Sequence, residues 1–262
     1  LGSSATVISF WRMFLASIFL WAYSYYNYNS IQNLSSVNKI RTCFSGILIG
    51  IHFILFYEAV KITTIANATF LGTLAPFFTL FFELSFMNRK YEKIIYFGMF
   101  VSLIGTIMLL IHNFDLSSQY TLGNIYAVLC SLSLSLSFLI AEKVREDEST
   151  IAYTRMLYFI AAVTVFFIGS FYVDTFIVTD KIEIMGFLFL ALIPTILGHN
   201  IFYYCIKYTT PTIVATVPLG EPVIASVIAY FLFLEGISVN TIAGGILCLA
   251  GIFIILKYKT ID

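Results

Sequence analysis

The sequence predicts an all-α membrane protein with nine visible transmembrane helices, drawn from a ten-helix transporter fold of two inverted five-helix repeats. Three observations carry that expectation. The 262 residues are 60% apolar and 11% charged, with mean hydropathy +0.95, whereas a soluble domain averages about 45–50% apolar and about 25% charged. Nine apolar runs have the length, about 20 residues, that crosses a bilayer as a helix. Two long parts of the chain repeat at a constant offset.

In chain order the spans are expected at 6–26, 43–60, 64–87, 94–112, 122–141, 151–173, 184–206, 212–234 and 239–257, each bounded by charges or turn residues. The first run has no basic flank and is too long for a signal-peptide core, so it reads as a retained span. Strands of a membrane barrel would alternate over about 10 residues. Only Ser131 to Ser137 alternates, inside a helix-length run, where small serines let helices approach closely. Cys43, Cys130, Cys205 and Cys248 are scattered through apolar runs without metal-ligand spacing and read as packing residues. No metal or other cofactor is implied.

The 14 basic and 14 acidic residues balance, which leaves no basic field for nucleic acid. Sorted by alternating loops, the basic residues divide unevenly. Eleven fall on one side and only Arg12, Lys61 and Lys181 on the other. The positive-inside rule then places the C-terminus in the cytoplasm.

Phe56-Tyr57-x3-Lys61-x-Thr63-Thr64 is matched by Phe202-Tyr203-x3-Lys207-x-Thr209-Thr210, an offset of 146. The same offset takes Pro76 to Pro222, Gly98 to Gly244 and Gly105 to Gly251, while Arg12-Met13 corresponds to Arg155-Met156 at 143. The run at 122–141 has no counterpart, so a full chain would hold ten spans and this one is expected to start at the second. Because five is odd, the repeats lie in opposite orientations, as in many secondary transporters. The first repeat is expected over 1–115 and the second over 116–262.

These residues resemble the EamA-type permeases of the drug/metabolite transporter superfamily. Gly50-Ile-His52-Phe through Thr63-Thr-Ile-Ala-Asn67 and Pro76 resembles the first repeat's third and fourth helices. Gly198-His199-Asn200 through Tyr208, then Leu219-Gly-Glu221-Pro222 and Glu235-Gly236, resembles the matching part of the second. Phe10-Trp11-Arg12 is similar to the family's second-helix opening. The resemblance implies a bacterial cytoplasmic (inner) membrane protein with both termini inside, no ATPase module, and movement of small metabolites, often amino acids and often outward. Arg89 stands where the family often has an acid like Glu235.

Pro76 and Pro222 fall about 11 residues into their spans, roughly 16 Å deep, and each removes a backbone hydrogen bond. They are candidate hinges; the alternative is a fixed kink. Glu221 at the same depth is too costly to face lipid and is expected to face the interior, as a site for a substrate amine, a coupling proton or a structural pair. His52 and His199 approach the middle from opposite faces and suit a cavity lining or a proton relay. Tyr57, Asn67, Asn200 and Tyr203 add groups able to fix a polar ligand. Arg12 suits a substrate carboxylate, or snorkels to headgroups. Glu83 is expected to meet Arg89 or Lys90. The paired glycines are close packing points, within the bundle or in a homodimer.

No phosphate loop, zinc spacing or nucleophile elbow appears. The first reading is therefore a secondary transporter working by alternating access, and the resemblance implies small polar metabolites, amino acids or related compounds moved outward, as its solutes. Its coupling ion is open. The alternatives are an intramembrane lipid-modifying enzyme using Glu221 and His199, and a nucleoside or S-adenosylmethionine carrier of the same fold.

Overall fold

The computed structural model describes residues 3–27, 33–111, 115–233 and 238–258. Glu235, Gly236 and Lys259 lie outside them. Among the described residues the chain is helical, without strands, and nine stretches are long and apolar enough to cross a membrane. The protein is a multi-pass membrane protein.

The spans follow the apolar runs, with two extensions. Helix α1 covers Ala5–Tyr26 and α2 covers Ser36–Ile62. The latter starts before its apolar run because a helix backbone needs no apolar side chain, and Lys39 and Arg41 stay exposed on its first turns. Likewise α6 (Thr121–Arg145) carries Lys143 past the apolar stretch. Helices α5 (Lys93–Leu110), α7 (Thr150–Gly169) and α12 (Val239–Lys257) fill the other uninterrupted spans.

Two spans are broken where continuous helices with a proline kink were expected. The third consists of α3 (Ile65–Gly72) and α4 (Ala75–Phe86), with Pro76 in the first turn of α4. The eighth consists of α10 (Pro211–Thr216), a 3-10 turn (Val217–Gly220) and α11 (Glu221–Phe233), with Pro222 in the first turn. The 146 offset carries Ile65 onto Pro211 and Ala75 onto Glu221, so both helices start and restart at equivalent positions. Each proline sits where its missing N–H has no helical acceptor to lose. Threonine in the repeated Thr-Thr pair also gains a role. Thr64 and Thr210 each cap their helix, accepting from the amides of Asn67 (3.0 Å) and Ile213 (3.4 Å).

The seventh span has an interruption that the apolar pattern did not announce. Between α8 (Lys181–Leu190) and α9 (Asn200–Cys205) the chain winds as a π-helix over Ala191–His199, with Pro194 inside. Proline lacks a donor and clashes with the carbonyl four residues back. The wider winding accommodates it, and Thr195 Oγ1 donates to the Leu190 carbonyl five residues back at 2.8 Å.

The helices gather into two compact units, 1–58 with 136–208, and 59–135 with 209–262, so each draws on both halves of the sequence. In the first unit α1 and α7, equivalent at the 143 offset, run antiparallel: Thr6 near the start of α1 bonds Tyr172 just past α7 (2.8 Å), and Ser17 reaches the Arg155 carbonyl (3.2 Å). Ser45, Ser137 and Tyr153 tie α2, α6 and α7 together, with Ser45 Oγ 2.8 Å from Ser137 Oγ and 2.5 Å from the Tyr153 hydroxyl.

In the second unit α5 and α12, equivalent at 146, also run antiparallel and touch backbone to backbone. A Cβ on Gly105 would lie 2.2 Å from the Cys248 amide nitrogen, and one on Gly244 would lie 2.7 Å from the Gly105 carbonyl. Gly98 faces Gly251 in the same way, a Cβ on Gly251 falling 2.6 Å from the Gly98 carbonyl. Each glycine meets the counterpart of the other, as a pseudo-two-fold relation between inverted repeats requires. All four are therefore used inside the chain. The same unit buries Glu83, which is 0% exposed. It binds Arg89 at 2.5 Å and accepts from the hydroxyls of Tyr91 and Thr212, joining the end of α4 to the start of α10. Burial first, and the Glu83 charge second, push the Tyr91 phenol far above its ordinary value, so it remains a donor.

Two predictions follow from these contacts. Gly105→Ala forces backbones apart and should destabilise the detergent-solubilised protein by about 1–3 kcal/mol, whereas Gly245→Ala, whose Cβ would meet only ordinary contacts from 3.4 Å outward, should melt like the parent. Glu83→Ala leaves the Tyr91 and Thr212 hydroxyls without their acceptor and should cost about 1–3 kcal/mol in the same measurement.

Candidate functional site

The first unit brings together four of the polar residues singled out from the sequence. Arg12 sits in the second turn of α1, 7% exposed, and its Nε donates to Thr195 Oγ1 at 2.6 Å. Thr195 spends its own proton on the Leu190 carbonyl, which turns its lone pairs to the guanidinium. The π-helix is thus what aims the acceptor. The guanidinium carbon lies 4.4 Å from the centre of the Phe53 ring, a cation–π stack that keeps the charged plane flat against an apolar wall.

Two imidazoles complete the group. His52, 8% exposed, packs edge-on to Phe53 with ring centres 4.8 Å apart. His199, the last residue of the π-helix, packs on the same ring at 5.4 Å and on Phe202 at 5.7 Å, within electrostatic reach of Arg12 and His52. Beside them the Tyr158 hydroxyl donates to Asn200 Oδ1 at 3.0 Å and lies 3.4 Å from the Thr195 carbonyl. The Asn200 amide is thereby held with its nitrogen as the outward donor. Arg12, His52, His199 and Asn200 form one cluster of hydrogen-bond donors on an aromatic floor.

Thr195, Tyr158 and Phe53 were missed in the sequence. Pro194 and Gly198 flanking Thr195 are the only local signal of an irregular helix there. Tyr158 is one of 17 tyrosines, and nothing in its neighbourhood marks it.

Other expected residues lie elsewhere. Tyr203 is fully buried in the core of the first unit, edge-on to Tyr153 at 5.3 Å and Phe138 at 5.7 Å, with its hydroxyl 3.5 Å from Ser137 Oγ. Tyr57 is half-buried against Phe56. Asn67, in the second unit, commits both ends of its amide to the protein: its nitrogen donates to Asn124 Oδ1 (2.9 Å), Thr63 Oγ1 (3.1 Å) and the Asp115 carbonyl, and its oxygen accepts from the Asp115 amide (3.0 Å). It braces a loop against α6 instead of presenting donors to a ligand.

Glu221 is also not packed in a core. It is exposed at the first position of α11, where the unpaired amides of a helix start favour a carboxylate. Pro76 and Pro222 are both buried at their helix restarts. No group of three or more potential metal ligands occurs among the described residues.

Comparison with known proteins adds independent findings. Residues 2–111 and 121–257 match the EamA-like transporter family. The pseudopaline exporter CntI of Pseudomonas aeruginosa strain UCBPP-PA14 is 23% identical over 215 residues, which cover 82% of this chain and 74% of that protein. The S-adenosylmethionine uptake transporter of Rickettsia bellii is 26% identical over 260 residues, covering 96% of this chain and 84% of that one. A solved crystal structure with 14% identity superposes with a TM-score of 0.82 over 98% of this chain and 89% of its own, which shows the same fold.

The second-layer role of Thr195 and Tyr158 is testable. Thr195→Val removes the hydrogen-bond partner of a buried guanidinium and should cost about 1–3 kcal/mol in thermal unfolding. Tyr158→Phe frees Asn200 while keeping the ring, and should cost at most about 1.5 kcal/mol of stability in the same measurement.

Proposed function

The chain belongs to the EamA-like transporter family, and from that premise we propose that it is a secondary transporter that exports a small polar metabolite, an amino acid or a relative of one, by alternating access between inverted repeats. That it is a membrane transporter and not a lipid-modifying enzyme agrees with its relatives, which are named an exporter and an uptake transporter. The finer reading rests above all on one observation. Two spans break at equivalent positions of the two repeats, Thr73-Leu74 and Val217–Gly220.

Non-helical backbone at membrane depth is tolerated only against protein or a water-filled cavity, and paired discontinuous helices are where secondary transporters place their sites. In this reading Pro76 and Pro222 fix the restarts of α4 and α11, so each broken span bends at its junction while its two halves stay rigid. The cluster of Arg12, His52, His199 and Asn200 supplies donors to the solute. Glu221, at the restart of α11 in the other unit, is the candidate for a coupling proton. In this reading the protein resides in a bacterial cytoplasmic membrane, and the uneven basic residues favour a C-terminus on the inside.

The outward direction follows the named exporter. An S-adenosylmethionine carrier working inward is the second reading, favoured by the relative that aligns over 96% of the chain.

Reconstitution into sealed proteoliposomes decides between transport and chemistry. The expected result is the appearance of covalently unchanged solute across the membrane; conversion of lipid or solute without net flux would overturn the proposal. Glu221→Gln and Pro222→Ala should each insert normally and reduce flux by about tenfold or more, equivalent to roughly 1.4 kcal/mol on the limiting step.

A further inference from the structure

Three arginines are buried in the first unit, and two of them commit two guanidinium nitrogens to the protein. Arg145, 2% exposed, donates from Nε to the Tyr203 carbonyl at 3.1 Å and from a second nitrogen to the Glu148 carbonyl. Arg155, the counterpart of Arg12 at the 143 offset, donates to Ser24 and to Asn33 Oδ1 (2.9 Å) and lies 4.3 Å from the Trp21 ring centre. Arg12 commits only one, its Nε. Of its five N–H donors one is used, on Thr195, and among the described residues no carboxylate pairs with it.

Burial of a cation without a counter-charge costs several kcal/mol, and within a membrane span such a residue is retained for function. Snorkelling is ruled out by the burial of Arg12 and by its place in α1, roughly 10 Å from the helix start. The groups around it sharpen the need. His52, His199, the Tyr158 hydroxyl and the Asn200 amide are neutral or cationic, and none brings a negative charge. Phe53 and Thr195 fix the guanidinium plane by stacking and by its Nε, which leaves the two terminal nitrogens as a ready fork. A fork of parallel N–H donors suits an oxyanion held by two oxygens.

We propose that the terminal nitrogens of Arg12 bind the carboxylate of the transported solute, with Asn200 as a second donor, so that the substrate class is carboxylate-bearing metabolites and not nucleosides or simple amines. This rests on the transporter reading above. The solute's carboxylate supplies the counter-charge that no described residue gives Arg12, and so offsets the cost of burying the cation. Thr195 and Tyr158 act as positioning residues, through Arg12 and Asn200.

The test uses the full chain in detergent and in proteoliposomes, with Arg12→Met and Arg12→Lys beside the parent. The probes are matched pairs: the L-amino acids and their carboxamides, S-adenosylmethionine and its decarboxylated form, with adenosine and inorganic phosphate as outsiders. In the empty protein Arg12→Met should raise the melting temperature by about 2–4 °C, because an uncompensated charge has gone; a fall would make Arg12 structural and overturn the proposal. In the parent at least one free acid should stabilise the protein and cross the membrane, at least about tenfold better than its amide. Arg12→Lys should keep part of that preference and Arg12→Met none.

Equal handling of acid and amide, a preference for adenosine or phosphate, or a preference that survives in Arg12→Met would each overturn the carboxylate assignment while leaving transport intact. Acids that bind without flux would support the Arg12 site and count against the transporter reading. No binding and no flux of any acid would count against both.

Discussion

In hydrocarbon a backbone N–H or C=O without a partner costs several kcal/mol, and that constraint decides where this chain stops being α-helical. Each interruption comes with the groups that satisfy it. At Thr73 the amide and the hydroxyl both turn back to the Phe70 carbonyl, and Phe77 donates to Leu74 as α4 restarts. At the equivalent break the Glu221 amide donates to the Pro218 carbonyl, and in the π-helix Thr195 Oγ1 serves Leu190 at 2.8 Å. Prolines sit at or inside all three interruptions because they supply the missing donor that makes a regular helix impossible. Small hydroxyl residues sit beside them because they replace it.

The same economy governs the charges. Glu83 is held by a cation and two hydroxyls, Arg145 by carbonyls, and Arg155 by a serine, an asparagine and an indole ring. These groups are parts of the scaffold, and their removal is felt as stability. Arg12 differs in that the protein holds only its Nε, through Thr195, with the Phe53 ring against the guanidinium.

The two repeat-equivalent pairs show why such a scaffold is built from inverted halves. In the first unit α1 lies antiparallel to α7, and in the second α5 lies antiparallel to α12, so each unit pairs helices from both halves of the sequence. The contacts between α5 and α12 are backbone to backbone through Gly98, Gly105, Gly244 and Gly251. Small residues at these points are what let helices associate where no hydrophobic drive exists between them. They also make this pair rigid, in contrast to the broken spans α3–α4 and α10–α11.

Much of this was legible in the sequence because it depends on local composition and on repetition. Apolar run length set the nine spans, and the 146 offset paired the glycines and prolines. Local patterns carry no information about partners far along the chain. Arg12 and Thr195 are 183 positions apart, so only the folded chain could decide that Arg12 is held by one hydroxyl and left charged, or that Asn67 spends its amide on Asn124 and Asp115. Nor did the sequence separate a kink from a restart, since Pro76 and Pro222 permit both and the choice depends on whether neighbouring groups satisfy the freed backbone. The bilayer dictated helices to the sequence; the tertiary structure decided which polar groups the protein itself satisfies, because their partners lie far along the chain.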